Sequence, residues 1–474
     1  MPFLNGWRIR FNIMNPVLVL NVVGLTRDLL TRFPKRAKNI VTLASEGSST
    51  LLGTVLPAVT CSAQSTLLTG TLPREHGIVA NGWYFRELAE VHFWKQSNAL
   101  VGGEKIWQAA KKRNKDFTSA QLFWWYNMHS GNDFSVTPRP AHLANDAIIS
   151  LTYTDPPNLA GELDAELGHF PLFDFWGPNA GIKSSEWIEK CALSVLRRAS
   201  PTLTLVYLPH LDYNLQRIGP LDARIGDDVE KIDRIVGTLA TQARTKGIEV
   251  VLLSEYGMSQ SSGAVDINRV LRRAGYLRVQ QQYTWELLDC GASRAFAVAD
   301  HQVAHVYVKD PADLAPVKSL LEKTPGIERV LDHKGLREFG LDHPRSGELL
   351  AISAADKWFT YYYWEDDSRC PNWAHEVDIH NKPGYDPVEL FMDPKAALKV
   401  PRIIGRLAMR KMGFRKTIMD FIPFDATLVK GSHGRLPDKP EEGPLLITSG
   451  KHALPDSMPA TAVKALLLKL IFGA

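Results

Sequence analysis

Residues 56–84 read LPAVTCSAQSTLLTGTLPREHGIVANGWY. Leu56-Pro57 ends an extended run, and Thr60, Cys61, Ser62 and Ala63 open a helix with small, polar residues near its first turn. A hydroxyl at such a helix start sits beside unpaired backbone N–H groups and the positive end of the helix dipole, which suits a phosphoryl group. On helix chemistry alone two roles stay open for Thr60: a reactive hydroxyl in that seat, or an N-cap. Two roles also stay open for Cys61: a thiol acidified by the helix start, or a small residue packing behind it.

Outward from this stretch, residues 17–23 read VLVLNVV, a continuous apolar run interrupted only by Asn21. Such a run marks a central parallel strand buried on both faces. Residues 203–208 (LTLVYL) and 249–253 (EVVLL) repeat the pattern, with helical apolar spacing over 226–244 between them. Strands alternating with helices imply an α/β, doubly wound, mostly parallel sheet with helices on both faces. Ligands in such sheets bind beyond the carboxyl ends of the strands. Residues 101–126 suggest a helix, a turn and a strand ending in Trp124, Trp125 and Tyr126, which belong either to a pocket rim or to the core.

From residue 267 to 429 the alternation weakens, and aromatic residues mix with Pro and Gly. This stretch reads as an inserted cap with some antiparallel strands. The expected organisation is a leader over 1–13, a core formed by 14–266 and 430–474, and a cap over 267–429. The chain rejoins the core through Gly431-Ser432-His433-Gly434 and a last strand over 444–448, and ends in a helix over 461–471.

With 474 residues, 45% hydrophobic and 22% charged, the composition is that of a globular protein. The net charge of +4 comes with no dense basic tract, so nucleic acid is not an expected partner. No apolar run is long enough to span a membrane, and the first residues lack the pattern of a signal peptide. Cys61, Cys191, Cys290 and Cys370 are scattered without a CxxC pair, which points to a reducing, cytoplasmic setting.

The threonine after a turn, the T-G pair, the P-x-x-H-G-I turn and the N-G-W-Y tail of residues 56–84 together resemble the nucleophile segment of the alkaline phosphatase superfamily. The likeness is to its type I phosphodiesterase and nucleotide pyrophosphatase branch, and the segment is similar to that of phosphonoacetate hydrolases. The resemblance implies an alkaline phosphatase-like fold, Thr60 as the attacking residue, and divalent metal ligated by Asp, His and the nucleophile.

The ligand positions implied by the resemblance are partly changed. The aspartate expected before Gly24 is Val23, with Asn21 two residues earlier on the same face of the strand. In YLPHLDYNLQRIGP, Asp212 matches an expected aspartate, and Gln216 stands where a histidine is expected. In SEYGM, Glu255 keeps a carboxylate and Tyr256 replaces a histidine. His433 in GSHG matches the last histidine, and His380 in the cap is an additional candidate. The candidate metal ligands are therefore Asp212, Glu255, His433, His380 and Asn21, for one or two ions (Zn, Mn or Mg). Cys61, Gln64, Asn81 and Gln216 are candidate substrate-binding residues.

The expected activity is hydrolysis of a phosphodiester, pyrophosphate or phosphonate bond in a small anionic phosphorylated metabolite. The other expectation is an alkaline phosphatase-like fold without turnover, used as a binding or scaffold protein.

Overall fold

The structure, a computed structural model, describes residues 14–143, 148–377, 386–393 and 422–473, together with 382, 384, 401 and 405. The expected leader and His380 lie outside the described residues.

Thirteen strands matter to the site. They are β1 (Val17–Val22), β2 (Ser48–Gly53), β3 (Ser119–Leu122), β4 (Phe134–Pro138), β5 (Thr152–Asp155), β6 (Leu203–Leu208), β7 (Glu249–Leu253), β8 (Ala295–Asp300), β9 (Val303–Val308), β10 (Ile327–Leu331), β11 (Leu349–Ser353), β12 (Leu445–Thr448) and β13 (Ser457–Pro459). The principal helices are α1 (Lys38–Glu46), α2 (Thr60–Thr69), α3 (Ile182–Arg198), α4 (His210–Ile218), α5 (Ile225–Thr245) and α6 (Val463–Phe472).

Nine strands form one sheet in the order β13-β2-β12-β7-β1-β6-β3-β4-β5. The apolar run of β1 lies at its centre, parallel to β6 and to β7, with Val17 opposite both Leu203 and Glu249. Every residue of β1 and β6 is buried, as continuous apolar runs demand when helices cover both faces. Helices α1, α3 and α5 pack together on the sheet, while α2 and α6 form a second group. The fold is the expected doubly wound, mostly parallel sheet.

Two details differ from the sequence reading. The strand expected over 444–448 runs antiparallel to β7, and the short β13 pairs with β2 and forms the edge of the sheet. As expected of the region from 267 onward, a second sheet, β8-β9-β11-β10, is wholly antiparallel. Its core also takes in Leu56, Cys61, Ile78 and Trp83 from the stretch around α2. That shared core seats the second sheet directly against the segment carrying Thr60.

Gly24 ends β1 with φ +76°, and a Cβ there would lie 2.8 Å from Leu215. Only glycine suits both the conformation and the space. The chain thus turns away tightly where β1 meets α4.

Candidate active site

Helix α2 begins at Thr60, with Val59 in the N-cap position and no side-chain cap. Thr60 is therefore the first helical residue and not the cap. Its hydroxyl lies 3.2 Å from the Tyr256 hydroxyl. All ten residues of the helix are buried.

The turn after α2 explains the H-G-I motif. His76 is buried, its Nε2 is 3.0 Å from the Thr66 hydroxyl, and its Nδ1 accepts the Ile78 N–H at 3.1 Å. Burial drives its pKa down to about 3, so it is a neutral structural residue that pins the turn to the helix. Asn81 follows. Its Oδ1 accepts the Cys61 N–H at 3.0 Å, while its own N–H and Nδ2 donate to Asp300 at 2.8 and 3.1 Å. Asn81 thereby caps one free N–H of α2, and Asp300 fixes which way its amide faces. The Cys61 thiol belongs to the second core, and burial raises its pKa well above the ordinary value. The packing role fits this residue, and acidification does not.

The other candidates arrive from the carboxyl ends of β1, β6 and β7. Asp212 lies in the first turn of α4. Its Oδ1 accepts the Tyr256 hydroxyl at 3.1 Å and its Oδ2 accepts Gln216 Nε2 at 2.6 Å. Glu255 Oε1 accepts both Asn21 Nδ2 at 2.5 Å and Gln64 Nε2 at 2.7 Å. Gln64 is itself fixed by the Trp125 N–H, 2.7 Å from its Oε1. His433 Nδ1 donates to the Ala58 carbonyl at 2.8 Å, which leaves the lone pair on Nε2, 3.9 Å from Asp212 Oδ1. The Tyr256 ring stacks on His433, and His301 lies over the imidazole with centroids 3.9 Å apart. His210 pairs with Asp228 at 3.1 Å and takes no part in this network.

Burial is the leading influence on these groups. It raises the Asp212 carboxyl to about 7 and Glu255 to about 8, and lowers His433 to about 3.

Thr60, Asp212, Tyr256 and His433 line a cavity of about 40 Å³. Trp94, Trp125, Trp176 and Tyr213 help to wall it, and among the described residues no lysine or arginine lines it. Among these walls only Trp125 was singled out in the sequence. Trp176 follows β5 in a segment with no strand or helix pattern to mark it. Asn21, Gln64, Gln216 and Glu255 do not line the cavity; they are buried residues that hold Asp212 or one another.

The donor set does not fit the two-ion centre that the resemblance implies. Both oxygens of Asp212 accept hydrogen bonds, and the Tyr256 hydroxyl stands between Asp212 and Thr60. Glu255 is tied to two amides and to the Thr60 hydroxyl. Among the described residues, no three His, Cys, Asp or Glu side chains cluster to hold an ion. Asn21 Oδ1, Gln216 Oε1 and Glu255 Oε2 are buried acceptors without a partner, but none of these residues lines the cavity.

A family model described as type I phosphodiesterase / nucleotide pyrophosphatase matches residues 17–386. An uncharacterized pyrophosphatase/phosphodiesterase of Schizosaccharomyces pombe is 23% identical over 273 residues, covering 55% of this chain and 47% of its own length. The chain thus spans about half the length of that relative. Phosphonoacetate hydrolase from Sinorhizobium meliloti, solved with phosphonoformate, superposes with a TM-score of 0.62 at 15% identity, covering 97% of this chain and 96% of the other. Murine ectonucleotide pyrophosphatase/phosphodiesterase 5, solved with AMP as an inactive threonine-to-alanine variant, gives a TM-score of 0.59 at 15% identity, covering 96% and 94%. At these identities the superpositions speak to the fold. Among the described residues, no helix is long and apolar enough to cross a membrane.

Proposed function

This chain belongs to the type I phosphodiesterase / nucleotide pyrophosphatase family, and we propose that it hydrolyses a phosphodiester, pyrophosphate or phosphonate bond in a small phosphorylated metabolite, with Thr60 as nucleophile. One observation carries the assignment. The Thr60 hydroxyl is not used to cap its helix; it faces a cavity at the carboxyl end of the central strands and meets the Tyr256–Asp212 pair. The loss of activity on replacing a threonine in the murine relative is consistent with this reading. The N-terminus of α2 supplies the positive end of its dipole to the phosphoryl oxygens. Thr60 Oγ attacks phosphorus, the bond to the leaving group breaks, and water then cleaves the phosphothreonine.

A divalent ion, where bound, would lower the nucleophile's pKa and neutralise phosphoryl oxygens. The donor set described above does not fit that role, and no step here runs through one. The four free thiols favour a reducing, cytoplasmic compartment.

The test is turnover of bis(4-nitrophenyl) phosphate, a dinucleoside pyrophosphate and phosphonoacetate by wild type, Thr60→Ala and Thr60→Ser. Wild type should hydrolyse at least one, the alanine variant none, and the serine variant a fraction. Full activity in Thr60→Ala would refute the assignment. A second reading, binding without turnover, is favoured by the amides of Asn21, Gln64 and Gln216, which satisfy the carboxylates with neutral donors. Tight binding of an intact substrate by wild type, with no product, would establish it.

A further inference from the structure

We propose that this centre works without a divalent ion, the Tyr256 hydroxyl standing between Thr60 and Asp212 as the link that activates the nucleophile. The inference rests on Thr60 being that nucleophile. Asp212 accepts from Tyr256, so the phenolic proton points toward the carboxylate and the Thr60 hydroxyl donates to the phenolic oxygen. As Thr60 Oγ bonds to phosphorus, its proton passes to Tyr256 and the phenolic proton passes to Asp212. The bond from phosphorus to the leaving oxygen breaks, and that oxygen takes a proton from solvent. Water then attacks the phosphothreonine, its proton passing to a phosphoryl oxygen of the product and from there to solvent. Breaking the bond to Thr60 Oγ draws the first two protons back along the same path. For a phosphodiester, one substrate and one water are consumed, and an alcohol and a phosphomonoester are released.

The packing commits Tyr256 to this place. Its ring is buried and lies flat on His433, so the hydroxyl cannot swing aside without breaking the stack. An ion on Asp212 would have to share a carboxylate oxygen with this hydroxyl or with the Gln216 amide, since each oxygen already accepts one hydrogen bond. Glu255 is engaged by two neutral amides and also reaches the Thr60 hydroxyl. The unpartnered oxygens of Asn21, Gln216 and Glu255 are what a cation would satisfy, so counting bound metal decides the matter directly.

The experiment is elemental analysis of untagged, full-length protein, before and after dialysis against EDTA, with thermal melts and turnover on the same samples. Well below one ion per chain, with melting temperature and turnover unchanged by EDTA or by added Mg²⁺, Mn²⁺ or Zn²⁺, is the expected result. One or more ions per chain, lost in Asp212→Asn, would overturn the proposal, as would activation of about tenfold or more by any of these ions. Tyr256→Phe should lower kcat by about 100-fold or more while KM is kept. Unaltered kcat in that variant would overturn the link. The metal count needs no turnover: a chain free of metal that turns over nothing would sink the hydrolase reading and the proton path with it, whereas bound metal in an active chain would overturn this proposal alone.

Discussion

The Tyr256 ring lies on the His433 imidazole with centroids 3.8 Å apart and planes 7° from parallel. Two residues far apart in sequence thus hold each other in register over Thr60 and Asp212. The hydroxyl of Tyr256 also closes the Asp212 hydrogen-bond set, so its removal leaves a buried carboxylate oxygen short of a donor. Tyr256→Phe is expected to cost about 1–3 kcal/mol of stability, measured by urea unfolding. A variant as stable as wild type would mean that the phenol is not paired with Asp212.

Trp176 is one of the aromatic walls of the cavity. Its indole N–H donates to Glu389 at 3.1 Å, and Glu389 is held by the buried Lys382 at 2.5 Å. A cavity of about 40 Å³ holds a few waters and no nucleoside. Trp176→Ala should raise kcat/KM for the bulkiest hydrolysed substrate by about tenfold relative to the smallest. An unchanged ratio across substrate sizes would show that Trp176 does not restrict entry.

Asp300 makes stability depend on pH. Burial lifts its carboxyl to about 7 from an ordinary 3.8, despite two hydrogen bonds from Asn81. Between those values the folded chain keeps a proton that the unfolded chain has released. Unfolding then releases a proton, so this group's contribution to stability falls as pH rises through that window and levels off above about 7. Asp300→Asn should flatten the fall, seen as a smaller loss of unfolding free energy between acidic and neutral pH. An identical slope in wild type and variant would show that Asp300 is ionised in the folded protein.

The central sheet was legible because β1, β6 and β7 are apolar along nearly their whole length, which strands covered on both faces tolerate. The antiparallel entry of β12 and the edge pairing of β13 were not legible, since short strands carry no direction in their side-chain pattern. Thr60, Asp212 and His433 could be named as candidates because their motifs resemble those of the family. The bridging place of Tyr256 could not, because a tyrosine where a histidine is expected says nothing about where its hydroxyl reaches. Asp300 and Trp176 were missed for a related reason: each acts through a partner from another part of the chain, Asn81 for one and Glu389 for the other.

The central claim is that Thr60 carries the phosphoryl group during turnover. The most direct measurement is acid quenching of the enzyme during hydrolysis, followed by peptide mass spectrometry of residues 56–84. The expected result is a phosphoryl adduct on Thr60 that forms with substrate, disappears as substrate is exhausted, and is absent from Thr60→Ala. Hydrolysis that proceeds with no adduct on Thr60, and persists in the alanine variant, would contradict the account.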